Sequence, residues 1–205
     1  MKIVSLENGP FMVNSYLIIN EDTRSSFIID PGSDVVSLLD HVRNENLALE
    51  AILATHAHID HVAGVNTVKA RYDVPLCVNV LEQEIISSVS VQARMFGVAD
   101  PGKVIIDKTL PGEGDFTVVG ITISILHTPG HSPGSLSFYF DGVVFCGDSL
   151  FNFSIGRTDL PGGNYGQLIS AIETRLFTLP DETRVLSGHG PETTIGQEKR
   201  MNPFF

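Results

Sequence analysis

Thr55-His56-Ala57-His58-Ile59-Asp60-His61, with Ala63-Gly64 just behind it, is the stretch on which the reading of this chain turns. It sets three imidazoles and a carboxylate within six residues, His56 to His61. Such density does not suit a packed core, because a buried polar group without a partner costs roughly 2–7 kcal/mol. It suits a metal. His56 and His58 stand two apart, so on an extended segment both side chains leave the same face, whereas Asp60 and His61 fall where a helical turn can begin and point elsewhere. One ion can take the first pair and a second ion the other. Imidazole and carboxylate without thiolate match a borderline divalent ion, Zn2+ first, with iron or manganese as alternatives.

Upstream, the apolar run 51–54 reads as a strand that delivers the histidines at its C-terminal end, where α/β sheets commonly place ligands. Before it, residues 2–6, 15–19 and 26–29 read as short strands of a meander, rich in β-branched or aromatic residues and bounded by Gly, Pro, Asn or Asp. Asp30-Pro31-Gly32 ends the third. Ser33 is then placed to cap a helix whose apolar positions are Val35, Leu38, Leu39 and Val42. Downstream come a helix over 64–72, a strand over 76–80 and one helix with the face Leu81, Ile85, Val89, Ala93 and Phe96. Strands return at 116–119, 122–126, 135–140 and 143–146, separated by turns such as Asp141-Gly142. Tyr165, Leu168, Ile169, Ile172 and Leu176 mark a further helix, and 184–186 a last strand. Meander, helices, second meander, helix: the pattern predicts an α/β fold of two packed sheets with helices outside, made of two similar halves.

At 205 residues one domain spanning 1–205 is expected, and an apolar fraction of 42% with 12 Phe supplies a sizeable core. Lys and Arg total 13 against 24 Asp and Glu, a formal charge of −11, and the one adjacent basic pair is Lys199-Arg200. Nothing here holds a phosphate backbone, so no nucleic-acid partner is expected. Glu7, Asn8, Gly9 and Pro10 interrupt the first apolar stretch, and no run of about 18 apolar residues follows, so neither a leader nor a membrane span is expected. Cys77 and Cys146 lie in apolar strands and read as buried free thiols of a reducing, cytoplasmic compartment.

If the histidine cluster is a metal site, other strand ends must complete it. Pro129-Gly130-His131, Gly147-Asp148-Ser149 and Gly188-His189-Gly190 each set a candidate beside a glycine that lets the backbone turn sharply. His41 lies on the first helix and reads as a solvated residue; His127 ends a strand close enough to His131 to support the ligands, with a structural role at least as favoured and ligation not expected, and with Asp60 it is one of the two evident candidates for a proton donor.

The set HAHIDH, TPGH, CGDS and SGHG, together with Asp30 in IIDPG, resembles the metallo-β-lactamase-fold hydrolases in the same order across most of the chain. LHTPGHSPGS at 126–135, GRTDLPGG at 156–163 and the ending SGHGPETTIGQEKRMNPF look like the compact bacterial members of the glyoxalase II (hydroxyacylglutathione hydrolase) group. The resemblance implies an αββα sandwich of two mixed β-sheets with helices on the outer faces. It implies one metal held by His56, His58 and His131, a second by Asp60, His61 and His189, and Asp148 bridging both. Asp30 would bond the cluster loop's backbone or a ligand imidazole. Thioester hydrolysis by a hydroxide bridging the two ions is the expected reaction, with Asp60 orienting the hydroxide and S-lactoylglutathione or another small-molecule acyl thioester as substrate. Arg157 is a candidate for a substrate carboxylate, against a local pair with Asp159. Longer glyoxalase II enzymes carry a C-terminal helical domain that holds glutathione, and this chain ends at Phe205 without it, which leaves the thiol carrier open. The alternatives are a mononuclear iron persulfide dioxygenase built on His56, His131 and Asp148, a lactonase or β-lactamase, and a non-catalytic metal-binding module. The oligomeric state is not legible.

Overall fold

In the computed structural model, which describes residues 1–205, the first half of the chain builds a six-stranded sheet. Its strands are β1 (Lys2–Asn8), β2 (Val13–Asn20), β3 (Ser25–Ile29), β4 (Ala48–Leu53), β5 (Leu76–Asn79) and β6 (Lys108–Leu110), in that spatial order. The first three pair antiparallel and the rest parallel. Parallel neighbours need crossover connections. These are α1 (Val36–Asn44), then α2 (Ile59–Val62) with α3 (Val65–Arg71), then α4 (Gln83–Ser87) with α5 (Val89–Phe96).

The second half repeats the plan. A meander of β7 (Gly114–Val118), β8 (Ile121–His127), β9 (Leu136–Phe140) and β10 (Val143–Gly147) is followed by a small hairpin, β11 (Leu150–Phe151) and β12 (Ser154–Ile155). The chain continues through α6 (Tyr165–Ala171), β13 (Arg184–Ser187), β14 (Thr193–Thr194) and α7 (Ile195–Met201). Spatial order in this sheet is β14-β13-β10-β9-β8-β7, with only β10 and β13 parallel, across the α6 crossover.

Strand alternation fixes what each sheet face meets. Tyr16, Ile18, Phe27 and Ile29 point into the seam between the sheets, against Ile123, Ile125, Phe138 and Phe145. Leu17, Ile19, Ile28 and Ile52 point the other way, onto Leu38, Leu39 and Val42 of α1 and Val65 and Val68 of α3. Val144, Cys146 and Val185 meet Leu168, Ile172 and Ile195 on the far side. The result is helix, sheet, sheet, helix, as the resemblance implied. Each fully buried Leu, Ile or Phe stabilises the fold by about 1.5–3 kcal/mol, so these three interfaces carry most of the driving force.

Local departures have physical causes. Ser33 does not cap α1, which starts behind Val35 with no side-chain cap bond. The helix expected over Leu81 to Phe96 is broken at Ser88 (φ −99°, ψ 4°), whose Oγ donates to the Ile85 carbonyl at 2.8 Å. Val89 and Ala93 are buried as expected and Ile85 is half-buried against the core beside the buried Ile86, whereas Leu81, in a separate turn before α4, and Phe96, at the end of α5, are 53% and 38% exposed and do not join the core. His41 is half-buried, not solvated, and its Nε2 is shielded without a partner. The sequence reading missed β6, the β11–β12 hairpin, β14 and α7. Cys77 and Cys146 are buried and unpaired. No helix is long and apolar enough to cross a membrane.

Candidate metal centre

Every candidate donor leaves the C-terminal end of a strand on one rim of the sandwich: Asp30 after β3, the histidine cluster after β4, His131 after β8, Asp148 after β10 and His189 after β13. Beyond β4 the chain bends at Thr55, is extended at His58 (φ −66°, ψ 150°) and then enters α2, which carries Asp60 and His61. His56 and His58 thus precede the helix and share one donor group, while Asp60 and His61 lie on the helical turn and share another.

Three donor groups converge here, each with its ligand atoms within 4.8 Å of one another: His56, His58 and His131; Asp60, His61 and His189; and His56, His61 and Asp148. His131 Nε2 lies 2.8 Å from His58 Nδ1 and 3.1 Å from His56 Nε2. Donors at 2.0–2.1 Å from a tetrahedral ion sit about 3.3 Å apart, so this spacing is near that of a ligand shell. His189 Nε2 lies 3.1 Å from Asp60 Oδ2, and His61 Nε2 lies 3.6 Å from the same oxygen. Asp148 stands between the groups, with Oδ1 3.3 Å from His61 Nε2 and Oδ2 3.5 Å from His131 Nε2 and 3.6 Å from His189 Nε2. His61 Nε2 and Asp148 Oδ1 are buried and have no hydrogen-bond partner. An orphaned imidazole nitrogen facing an orphaned carboxylate oxygen is a costly arrangement that divalent ions relieve. The donor set fits a dinuclear centre.

On His56, His61 and His131 the second ring nitrogen is already committed, which aims the other one inward. His131 Nδ1 donates to the Arg157 carbonyl at 2.8 Å, and His56 Nδ1 lies 3.1 Å from Thr55 Oγ1. His61 Nδ1 meets Asp30 Oδ2 at 2.9 Å. Asp30 also accepts from the Thr55 backbone N–H at 2.7 Å and from Thr55 Oγ1 at 2.6 Å. It therefore touches both the cluster backbone and an imidazole of the cluster. It does so from a left-handed backbone (φ 50°), a strain of order 1–3 kcal/mol that persists at functional sites.

Electrostatics divides the centre. Burial, and then the neighbouring imidazoles, push His56 well below the ordinary histidine range; burial and His131 push His58 down to about 3. Both offer neutral nitrogens, the form a metal binds. At His61 and His189 burial acts in the same direction but is outweighed by the carboxylates of Asp60 and Asp148, which hold both imidazoles up. In return, these histidines overcome burial at Asp60 and Asp148 and keep their carboxyls below the usual range.

Two supports escaped the sequence reading. Glu82 is fully buried, and its carboxylate accepts from the Ala57 N–H, Ser132 Oγ and the Gly134 N–H, each at 2.7 Å. It ties the loop of His56 and His58 to the loop of His131. Gln92 Oε1 accepts from the Ile59 N–H at 2.9 Å and anchors the start of α2. In sequence both resemble polar positions of an amphipathic helix, so no local signal marks them. Glycines near Asp148 have a steric reason: a Cβ on Gly188 would stand 2.2 Å from Asp148 Oδ1 and 2.6 Å from His61 Cε1.

Arg157 forms a bidentate pair with Asp159, both bonds at 2.7 Å, while its side chain also borders the cavity over the centre. His127 donates Nε2 to the Pro133 carbonyl at 3.0 Å and does not border that cavity. The cavity measures about 400 Å³; His58, Asp60, His131, Asp148 and His189 contribute to it, together with Phe11, Phe96, Phe151 and Leu160. That size and mixture are usual for a small-molecule site.

A family model described as the metallo-beta-lactamase superfamily matches residues 8–189. Hydroxyacylglutathione hydrolase GloC of Haemophilus influenzae is 39% identical over 191 residues, covering 91% of this chain and 90% of that protein. Among solved structures, BLEG-1 B3 metallo-beta-lactamase superposes with a TM-score of 0.92 at 39% identity, covering 99% of both chains. TTHA1623 in a di-iron-bound form superposes with a TM-score of 0.90 at 38% identity, covering 98% of this chain and all of that one.

Proposed function

The chain belongs to the metallo-beta-lactamase superfamily, and on that premise we propose that it is a dinuclear metal-dependent hydrolase of acyl thioesters, with zinc as the first candidate ion and iron or manganese as alternatives. S-lactoylglutathione is the reference substrate, suggested by the likeness to a hydroxyacylglutathione hydrolase. The observation that carries the reading is the pair of complete donor sets flanking Asp148, with His61 Nε2 and Asp148 Oδ1 buried and unpartnered.

In this reading His56, His58 and His131 would hold one ion, Asp60, His61 and His189 the other, and Asp148 would serve both. Two ions so held supply a water that ionises near neutral pH and a Lewis acid for the substrate carbonyl. Asp60 borders the cavity and offers a carboxylate oxygen to the attacking water's proton, which orients the oxygen towards the substrate. Phe11, Phe96, Phe151 and Leu160 give the cavity an apolar wall against which the uncharged part of a substrate can pack. A thiolate leaves without protonation, since its conjugate acid has a pKa around 8.5, whereas an amine needs a positioned acid. His127, one of the few candidate acids, is spent on the Pro133 carbonyl outside the cavity. Asp60 is then the remaining candidate donor in the cavity, and a preference for thioesters over amides is expected when its carboxylate serves the attacking water and not the leaving group.

The likeness to a structure described as a metallo-beta-lactamase motivates a second reading, lactam hydrolysis. Purification without added metal, elemental analysis and a panel of thioesters, matched amides and a β-lactam, run beside an oxygen-uptake assay, separates the readings. About two ions per chain with a strong thioester preference is the expected result. Comparable rates on thioester and amide would overturn it in favour of the lactamase reading, and one iron per chain with oxygen uptake on glutathione persulfide would favour a dioxygenase.

A further inference from the structure

We propose that a groove leading off the metal cavity along α4 and α5 binds an apolar acyl chain of the substrate, so that the preferred thioesters carry longer and more apolar acyl groups than lactoyl. The inference rests on the hydrolase reading above and specifies its substrate class. The groove encloses about 420 Å³, and it shares His58, Gln92, Phe96 and Leu160 with the cavity over the metal centre. A chain lying in it thus starts beside an imidazole of the centre.

The groove walls are apolar where solvent would predict otherwise. Leu81, Val91 and Met95 are 53%, 55% and 62% exposed, and Ile85 and Pro133 join them. Large apolar side chains gathered on one surface mark a binding face more often than scattered ones do. They come from three successive pieces of chain, the turn before α4, α4 itself and α5. With Ile86, Val89 and Ala93 turned to the core, Val91 and Met95 stand four apart on the outer face of α5, Leu81 is exposed in the turn before α4, and Ile85 is half-buried between that surface and the core. Phe96, at the junction with the cavity, is fixed edge-to-face against Phe11, with ring centroids 5.5 Å apart.

Charge decides which half of a thioester fits. No Lys or Arg lines the groove, its one charged residue is Glu84, and the cation of the adjoining cavity, Arg157, is engaged by Asp159. The chain as a whole carries a formal charge of −11. Biological thiol carriers are polar anions, so the carrier finds no complementary partner here. The acyl group is the half of the molecule that can be uncharged and apolar, and burying it releases water from both surfaces.

The test uses the metal-loaded protein and thioesters of N-acetylcysteamine, a neutral thiol, with acetyl, butanoyl, hexanoyl and octanoyl groups. Burying a methylene is worth a factor of up to about four, so kcat/KM should climb with acyl length by up to that factor per methylene until the groove is filled. Met95→Glu and Leu81→Asp alter exposed positions, and each should reduce the octanoyl-to-acetyl ratio of kcat/KM at least tenfold, with folding checked by the melting transition. A flat series in the unmodified protein overturns the proposal. So does a rise that appears only when the thiol side is lengthened with acetyl held constant, or a patch that proves to be a dimer contact, with Met95→Glu yielding monomers and an unchanged acyl series. Calorimetric binding of the octanoyl amide isostere separates the two layers of the argument. If no thioester is hydrolysed, the hydrolase reading fails; the groove then stands if the isostere binds and Met95→Glu weakens it, and falls if it does not bind.

Discussion

Removing the Glu82 carboxylate should damage both the fold and the metal centre, although Glu82 is not among the donors. Glu82→Ala strands three buried donors, the Ala57 N–H, Ser132 Oγ and the Gly134 N–H, each now bonded at 2.7 Å. A buried donor left without its partner costs about 1–3 kcal/mol. Water entering the vacated space recovers part of this, which leaves an expected loss of about 3–5 kcal/mol. For a chain of this length that corresponds to a fall in Tm of roughly 6–20 °C. Glu82→Gln preserves the shape but must turn its amide N–H2 towards at least one of the same donors, so it should lose about 1–3 kcal/mol. Because Glu82 joins the loop of His56 and His58 to that of His131, zinc affinity should also drop by about 10–100-fold in the alanine variant, the range typical of groups that orient ligands. Urea unfolding of the metal-free protein measures the first quantity, and competition with a chromogenic chelator the second. An alanine variant within about 1 kcal/mol of the parent, with unaltered zinc affinity, would refute the argument.

Asp30→Ala removes the acceptor of the Thr55 N–H, Thr55 Oγ1 and His61 Nδ1, and should weaken metal binding by about 10–100-fold while the fold persists; unchanged affinity would reduce Asp30 to a turn former. Gly188→Ala drives a methyl to within 2.2 Å of Asp148 Oδ1, so elemental analysis should find less metal per chain, and full occupancy would contradict the close packing described. Tyr16 donates its hydroxyl to the Ser187 carbonyl at 2.6 Å, and burial pushes its pKa far above the ordinary range. Stability from this group is full below the unfolded value of about 10 and declines as pH rises beyond it, by up to about 1.4 kcal/mol per pH unit. Tyr16→Phe should flatten that alkaline slope in urea titrations, and an identical slope in both proteins would count against the shift.

The sequence is most legible where one stretch states both geometry and chemistry. His56 and His58 at spacing two fall into one donor group ahead of α2, and Asp60 and His61 into another on its helical turn. The alternation of Tyr16, Leu17, Ile18 and Ile19 likewise maps onto the two faces of β2. The failures lie where long-range partners decide. Leu81 to Phe96 carries a helical period, but the hydrogen bond of Ser88 and the packing of Val89 split it. Nothing beside Glu82 in LEQEII tells that its carboxylate will be enclosed by residues far along the chain, Ser132 and Gly134 among them. Strands of two or three residues such as β14 and β6 exist only because a neighbour offers an edge, and that information is not local.

The distribution of donors between the two halves bears on when such a centre can form during synthesis. His56, His58, Asp60 and His61 all precede residue 62, yet each triad borrows one member from the second half, His131 for one and His189 for the other. A nascent chain that has released only its N-terminal sheet can bind an ion loosely at best. A closed site requires the second sheet to dock and residues close to the C-terminus to emerge. In the proposed dinuclear reading, capture of the ions would then follow the docking of the two halves. Truncated or misdocked chains would then be left unloaded, without the stabilisation that ligand binding adds to the native state alone.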